Sequence, residues 1–173
     1  MTRIVLALLA GGALAGVVAG RVAASDPPEA AASPIYGVTI PRDYRDWTLI
    51  SVAREEGDFD DLRAQLGNAI AIEAYREGRR PFPDGAAIVA IHWRYAASEA
   101  NNKVFGRVQS FVAGSPKNIQ VMIKDSKRYA ATGGWGFGDF TDGKPAGAAA
   151  HATCYPCHEP ARADDFVFTH YAP

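Results

Sequence analysis

Ala86-Ala87-Ile88-Val89-Ala90-Ile91-His92-Trp93-Arg94-Tyr95 is a strongly apolar run of strand length. It follows Pro81-Phe82-Pro83-Asp84-Gly85. That stretch reads as a turn, because proline fixes φ and glycine admits the positive φ that turns often need. An apolar run opening from a turn predicts a buried strand. Residues 118–124 form a second such run, residues 46–52 alternate apolar and polar side chains, and residues 166–169 are β-like. The helices between them are short. Residues 69–76 suit one, with Gly78 just past its end as a cap. Asp125 can cap another over 126–131, stopped by Gly133-Gly134. An Ala-rich third spans 147–153. Strands that succeed one another with few long helices predict an α+β fold, mainly an antiparallel sheet with a few helices on it.

The chain has 173 residues, and its start reads as a targeting segment. Thr2 and Arg3 precede an apolar run over 4–20, and Val22-Ala23-Ala24 offers small residues before Ser25. That order describes a secretory signal over 1–24, with a retained N-terminal anchor as the alternative. Either places the rest in the periplasm, soluble or anchored. Residues 25–35 are Pro- and Ala-rich and read as a disordered lead-in. Residues 36–173 suit one domain. The formal net charge is −1, and without Arg3 and Arg21 there are 16 basic against 19 acidic residues. No basic run occurs, which argues against a nucleic-acid partner.

Only two cysteines occur, in Cys154-Tyr155-Pro156-Cys157-His158. Two thiols at this spacing match the two vinyl groups of a haem, and the following histidine then lies under the ring to ligate iron. The pattern predicts one covalent haem c, on Cys154 and Cys157, with His158 as the axial ligand. Such attachment is made outside the bacterial cytoplasm, in agreement with the leader. A structural disulfide, a thioredoxin-like redox pair and a zinc site are the alternatives. The redox pair normally sits early in a βαβ unit, and zinc would need further ligands.

A sixth iron ligand is hard to find. Met122 lies inside an apolar run and suits core packing. His151 lies seven residues before His158, on the same helical stretch, and His170 lies in the tail. His92 sits on the long apolar strand, where a lone histidine is usually a hydrogen-bonded core residue.

Tyr44-Arg45-Asp46-Trp47, Leu66-Gly67-Asn68, the Pro-Phe-Pro-Asp-Gly turn, Met122-Ile123-Lys124-Asp125, Thr132-Gly133-Gly134-Trp135-Gly136-Phe137, the pentapeptide and Asp165-Phe166-Val167-Phe168-Thr169 together resemble the cytochrome P-460 family, which includes the cytochromes c-prime-beta. The resemblance implies a mainly antiparallel β fold, often dimeric, and a five-coordinate haem with His158 proximal. It implies a small gaseous or nitrogenous ligand, either nitric oxide bound at the iron or hydroxylamine oxidised there, with a redox partner protein in the second case. In the hydroxylamine oxidisers a lysine on the strand after Pro-Asp-Gly bonds to the porphyrin edge. Here that position is Ala90, which cannot form the link. Period two then puts Ile88, Ala90 and His92 on the distal pocket wall, with His92 able to hydrogen-bond a ligand or a propionate. The wall reads as mostly apolar, and the 96–116 segment as a solvated loop in which Glu99 is the only carboxylate. These features favour a ligand-binding haem protein over the hydroxylamine oxidoreductase, and both over a plain electron carrier.

Overall fold

The structure, a computed structural model, describes residues 31–172. The leader at 1–24 and the lead-in as far as residue 30 lie outside the described residues. The lead-in's last part is held in place. Ser33 is buried, its hydroxyl donates to the Phe137 carbonyl at 2.9 Å, and it accepts from the Val38 amide.

The apolar run forms strand β3 (Ala87–Ala97), the centre of a sheet. Around it lie β1 (Thr48–Glu55), β2 (Asp61–Gly67), β4 (Phe111–Lys124), β5 (Trp135–Thr141) and the short β6 (Lys144–Pro145). The six strands follow chain order across the sheet, and every neighbouring pair is antiparallel. The chain therefore has the expected α+β fold, with the two cysteines near its C-terminus.

Alternation along β3 builds two cores. Ile88 joins Ile50, Ile72, Phe82, Met122, Trp135 and Phe137 on one face. Val89 and Ile91 join Val38, Val121 and Phe140 on the other. Each such side chain, fully buried, contributes about 1.5–3 kcal/mol. Helix α1 (Ala69–Arg76) covers the first face. Asn68 fixes its start, accepting from the Ala71 amide at 3.0 Å and from the Ala87 amide at 3.1 Å, so one side chain ties helix to strand. Gly67 allows the close approach, since a Cβ there would lie 3.0 Å from Ile50 and 3.2 Å from Ile72.

Three segments differ from the sequence expectation. Residues 126–131 make no α-helix. Asp125 caps the Lys127 and Arg128 amides, but the chain tightens into a 3-10 turn, Ala130–Thr132, before Gly133 and Gly134 at φ +66° and +83°. The 96–116 segment is no loop. It completes β3, forms α2 (Glu99–Phe105) and begins β4. Asn102 orders it by accepting from the Gln109 and Ser110 amides, and Glu99 is exposed on α2. Residues 166–169 are not a strand, because Asp165 and Phe166 both take left-handed backbone, φ +55° and +64°.

After β6 come α3 (Ala148–Ala152), α4 (Cys154–His158) and a 3-10 turn, Glu159–Asp164. His151 fastens α3 to β5. Its ring is fully buried, Nε2 accepts from the Asp139 amide at 3.0 Å, and Nδ1 donates to the Gly147 carbonyl at 3.1 Å. No helix among the described residues is long and apolar enough to cross a membrane.

Candidate haem site

Helix α4 carries Cys154, Cys157 and His158 within its five residues. Both cysteines are free thiols, Cys154 half-buried and Cys157 exposed. Burial pushes the Cys154 thiol up to about 11, helped by the negative charge of Asp139. A thioredoxin-like pair needs the opposite, a lowered thiol.

His158 is held from three sides. Its ring packs between Phe137 and Phe168, with centroids 5.0 and 5.2 Å away. Nδ1 donates to the Phe166 carbonyl at 2.8 Å. That bond fixes the tautomer and leaves Nε2 as the nitrogen for a metal. Burial lowers the pKa of the ring, partly offset by the Phe166 bond, so the ring is neutral and its Nε2 lone pair is available.

The sheet face behind α4 has two ends, laid out by strand register. At the apolar end Ile88 pairs with Met122, and Met122 with Phe137, the ring that touches His158. In the next row Ala90 sits between Gln65 and Gln120. One row further His92 faces Arg63. Ile88, Ala90 and His92 thus share the face carrying the apolar core under α1 and α4, as alternation predicts. Ile88 and His92 are buried and Ala90 is half-buried.

The wall around His92 is polar, unlike the mostly apolar wall expected from the sequence. His92 is 3% exposed, and its Nδ1 donates to Asp61 Oδ2 at 3.0 Å. Asp61, 1% exposed, also accepts from Arg63 Nε at 3.1 Å and Nη2 at 3.0 Å. Lys117 Nζ stands 3.6 Å from the same carboxylate. Burial alone would raise Asp61, but the bonds from His92 and Arg63 bring it below its ordinary value. Burial lowers His92, against the pull of Asp61, so the ring is neutral. Asp61 can only accept, so the proton sits on Nδ1 and Nε2 presents a lone pair. That Nε2 is buried and has no partner, and neither has Gln65 Oε1. His92, Asp61, Lys117, Gln120 and Asp139 line a cavity of about 400 Å³. Asp139 raises both Cys154 and His92, which places it within electrostatic reach of the cysteine helix and of the cavity.

Met122 packs in the apolar core beside Ile88 and Phe137, and His170 is exposed. Asp61, Arg63, Gln65 and Asp139 are site residues the sequence reading did not single out. The signal was present in β2, where Leu62, Ala64 and Leu66 alternate with Asp61, Arg63 and Gln65. The acidic stretch Asp58-Phe59-Asp60-Asp61 in front of it looks like a solvated loop and hides the start of the strand.

The residues suit a haem. Two free thiols and a neutral imidazole with one nitrogen directed by a carbonyl are the donor set that a covalent haem needs. Two cysteines and a histidine on one short helix beside an antiparallel sheet are the arrangement expected of a small c-type haem protein. The chain belongs to the cytochrome P460 family, whose pattern it matches over residues 41–169, and it is therefore a haem protein. No curated protein matches the chain significantly.

Proposed function

We propose that the chain is an exported cytochrome carrying one covalent haem c on Cys154 and Cys157, with His158 as the iron ligand. Its distal side binds a small ligand such as nitric oxide. The observation that carries this reading is the His158 arrangement, with Nδ1 committed to the Phe166 carbonyl and Nε2 left for iron. The haem supplies the iron that takes the ligand. The chain's own residues do the rest. Phe137 and Phe168 pack against the imidazole and hold its orientation. Ala90 carries no amine for the porphyrin edge, which disfavours the cross-link of the hydroxylamine oxidisers. Met122 is packed among apolar side chains of the core, which disfavours it as the sixth ligand of an electron-transfer cytochrome. That argues against a plain electron carrier.

A second reading draws on a separate observation. His92 Nε2 is an unpartnered acceptor beside the cavity. Such an atom suits a ligand bearing N–H or O–H, and so suits hydroxylamine or a related nitrogen compound as substrate. Stopped-flow mixing tests the primary reading. The reduced protein binds nitric oxide at a rate proportional to gas concentration, and a rate that saturates at low gas would mean an internal ligand leaves first. Turnover of hydroxylamine with an artificial electron acceptor would move the weight to the second reading. Peptide mapping adds a check: the wild-type peptide containing Ala90 carries no haem mass.

A further inference from the structure

A second buried ion pair lies far along the chain from the cavity. Lys124 ends β4, and its side chain is 5% exposed. Its ammonium donates to Asp165 Oδ1 at 2.7 Å, to Asp165 Oδ2 at 2.9 Å and to the Gly133 carbonyl at 2.9 Å. All three protons are thus used, and the charge lies 5.0 Å from the centre of the Trp135 ring. Asp165 is anchored at both ends. Its carboxylate also accepts from the Phe82 amide at 2.8 Å, and its main-chain carbonyl accepts from Trp135 Nε1 at 2.8 Å.

The residue fixed in this way precedes Phe166, whose carbonyl accepts from His158. Asp165 and Phe166 both hold positive φ, a conformation that non-glycine residues keep only when their surroundings impose it. The Phe166 ring completes the clamp. It lies 2.1 Å from where a Cβ on Gly133 would stand, so only glycine fits there. Removing two charges from water is costly, and an apolar pair would fasten a chain end at least as well. What this pair adds is direction. Four hydrogen bonds fix the Asp165 side chain and carbonyl, and the next carbonyl follows.

We infer that Lys124 and Asp165 are positioning residues for the proximal histidine: their ion pair aims the Phe166 carbonyl at His158 Nδ1, and so sets the orientation and basicity of the nitrogen offered to iron. The inference rests on His158 being the iron ligand. It also gives a role to two sequence motifs, Met-Ile-Lys-Asp and Asp-Phe-Val-Phe-Thr, that contain no haem-binding residue. A stronger bond to Nδ1–H makes Nε2 a better donor, as outer partners of metal-bound histidines do.

The test is the iron–imidazole stretching frequency of the reduced protein, read by resonance Raman in the wild type, in Asp165→Asn and in Lys124→Gln. Asp165→Asn weakens the hold of Lys124 on residue 165, and the stretch moves to lower frequency while the thioether-bound haem is retained. Lys124→Gln keeps a neutral donor and gives a smaller shift in the same direction. If Asp165→Asn yields no haem-loaded protein, Lys124→Gln decides alone. A lower melting temperature with an unmoved stretch would overturn the inference, since the pair would then only fasten the C-terminal segment. A wild type without haem on its cysteines, or with an iron spectrum unchanged in His158→Ala, would overturn the haem reading first.

Discussion

The two ends of one sheet face differ in what their side chains do. At the Ile88 end, Met122, Phe82, Trp135 and Phe137 form a dry core under α1 and α4, and Trp135 and Phe82 are 0% and 2% exposed. At the His92 end, Asp61, His92, Gln120 and Asp139 line a cavity. Two of the three unpartnered buried side-chain atoms among the described residues, His92 Nε2 and Gln65 Oε1, lie here, while the third, Arg80 Nε, belongs to a guanidinium stacked on Phe82. The same strands supply both ends, and their alternation is the same. What changes is polarity along each strand, with Ala90 at the seam. A natural core leaves few buried polar atoms unpaired, so two together on one face support the proposed ligand site at that end. The apolar end holds the fold, and under the proposed function the polar end takes the ligand.

The largest effect expected concerns the helix that faces both ends. Cys154→Ala with Cys157→Ala removes both thioether positions. Haem staining after denaturing electrophoresis should vanish in this variant, and surviving stain would show attachment elsewhere.

Next come paired substitutions, one at each end. Phe82→Ala deletes a ring that packs edge-on against Tyr75 and Trp135 at 4.9 and 5.6 Å. It should cost about 3–5 kcal/mol in denaturant unfolding. Gln65→Leu should cost close to nothing, because it replaces a buried carbonyl oxygen that has no partner with a side chain of similar size. A loss at Gln65 comparable to that at Phe82 would mean the polar end is structural core after all.

A moderate effect follows from pH. His92 has its pKa lowered from 6.5 by burial, although Asp61 raises it. Arg63 and Asp61 on β2, Lys117 on β4 and Asp139 on β5 are the charges that surround it. Below 6.5 the unfolded chain binds a proton there that the folded chain does not, so stability falls as pH drops below that value. Asp61 acts with the same sign further down. Its folded value lies below 3.8, so its contribution is present above that pH and is lost as pH falls through the lower folded value. Melting temperature against pH should therefore decline in two steps. His92→Gln should shrink the upper step, to which the buried His158 also contributes, and an unchanged upper step would mean that His92 plays no part in it.

Much of this contrast was readable in the amino-acid sequence, and the unread part has a physical cause. The strand at 86–95 follows from its apolar run and the preceding turn, and the set Ile88, Ala90 and His92 follows from period two once the family resemblance marks position 90. Helix 69–76 follows from its cap and its terminal glycine, and its bounds in the structure are the same. Short-range patterning failed where partners are distant. Asp61 and His92 lie 31 positions apart, and Lys124 and Asp165 lie 41. No local rule links a carboxylate to a cation across that many residues. Residues 166–169 show the same limit. Their composition is β-like, but tertiary contacts to Trp135 and Lys124 hold the preceding residue left-handed.

The smallest effect is the one that separates the two functional readings. Neutral His92 carries its proton on Nδ1, toward Asp61, so Nε2 can only accept. Nitric oxide has no proton to give it. Replacing His92 with Leu should therefore leave nitric oxide dissociation near neutral pH within about twofold, since no hydrogen bond is lost. A ligand with N–H or O–H loses a real bond in the same variant. A neutral hydrogen bond contributes roughly 0.5–1.5 kcal/mol net, which is about a 2- to 10-fold weaker affinity for hydroxylamine. Acid reverses the first case. Once His92 is protonated, Nε2 carries a hydrogen and can donate to bound nitric oxide. Dissociation in the wild type should then slow at pH values below its lowered pKa, and in His92→Leu it should stay flat. The measurement is nitric oxide release into a trapping agent across pH, for both proteins. A wild-type rate that is flat down to the onset of acid unfolding would mean that His92 does not reach the ligand, and the polar end would lose its claim to the distal site.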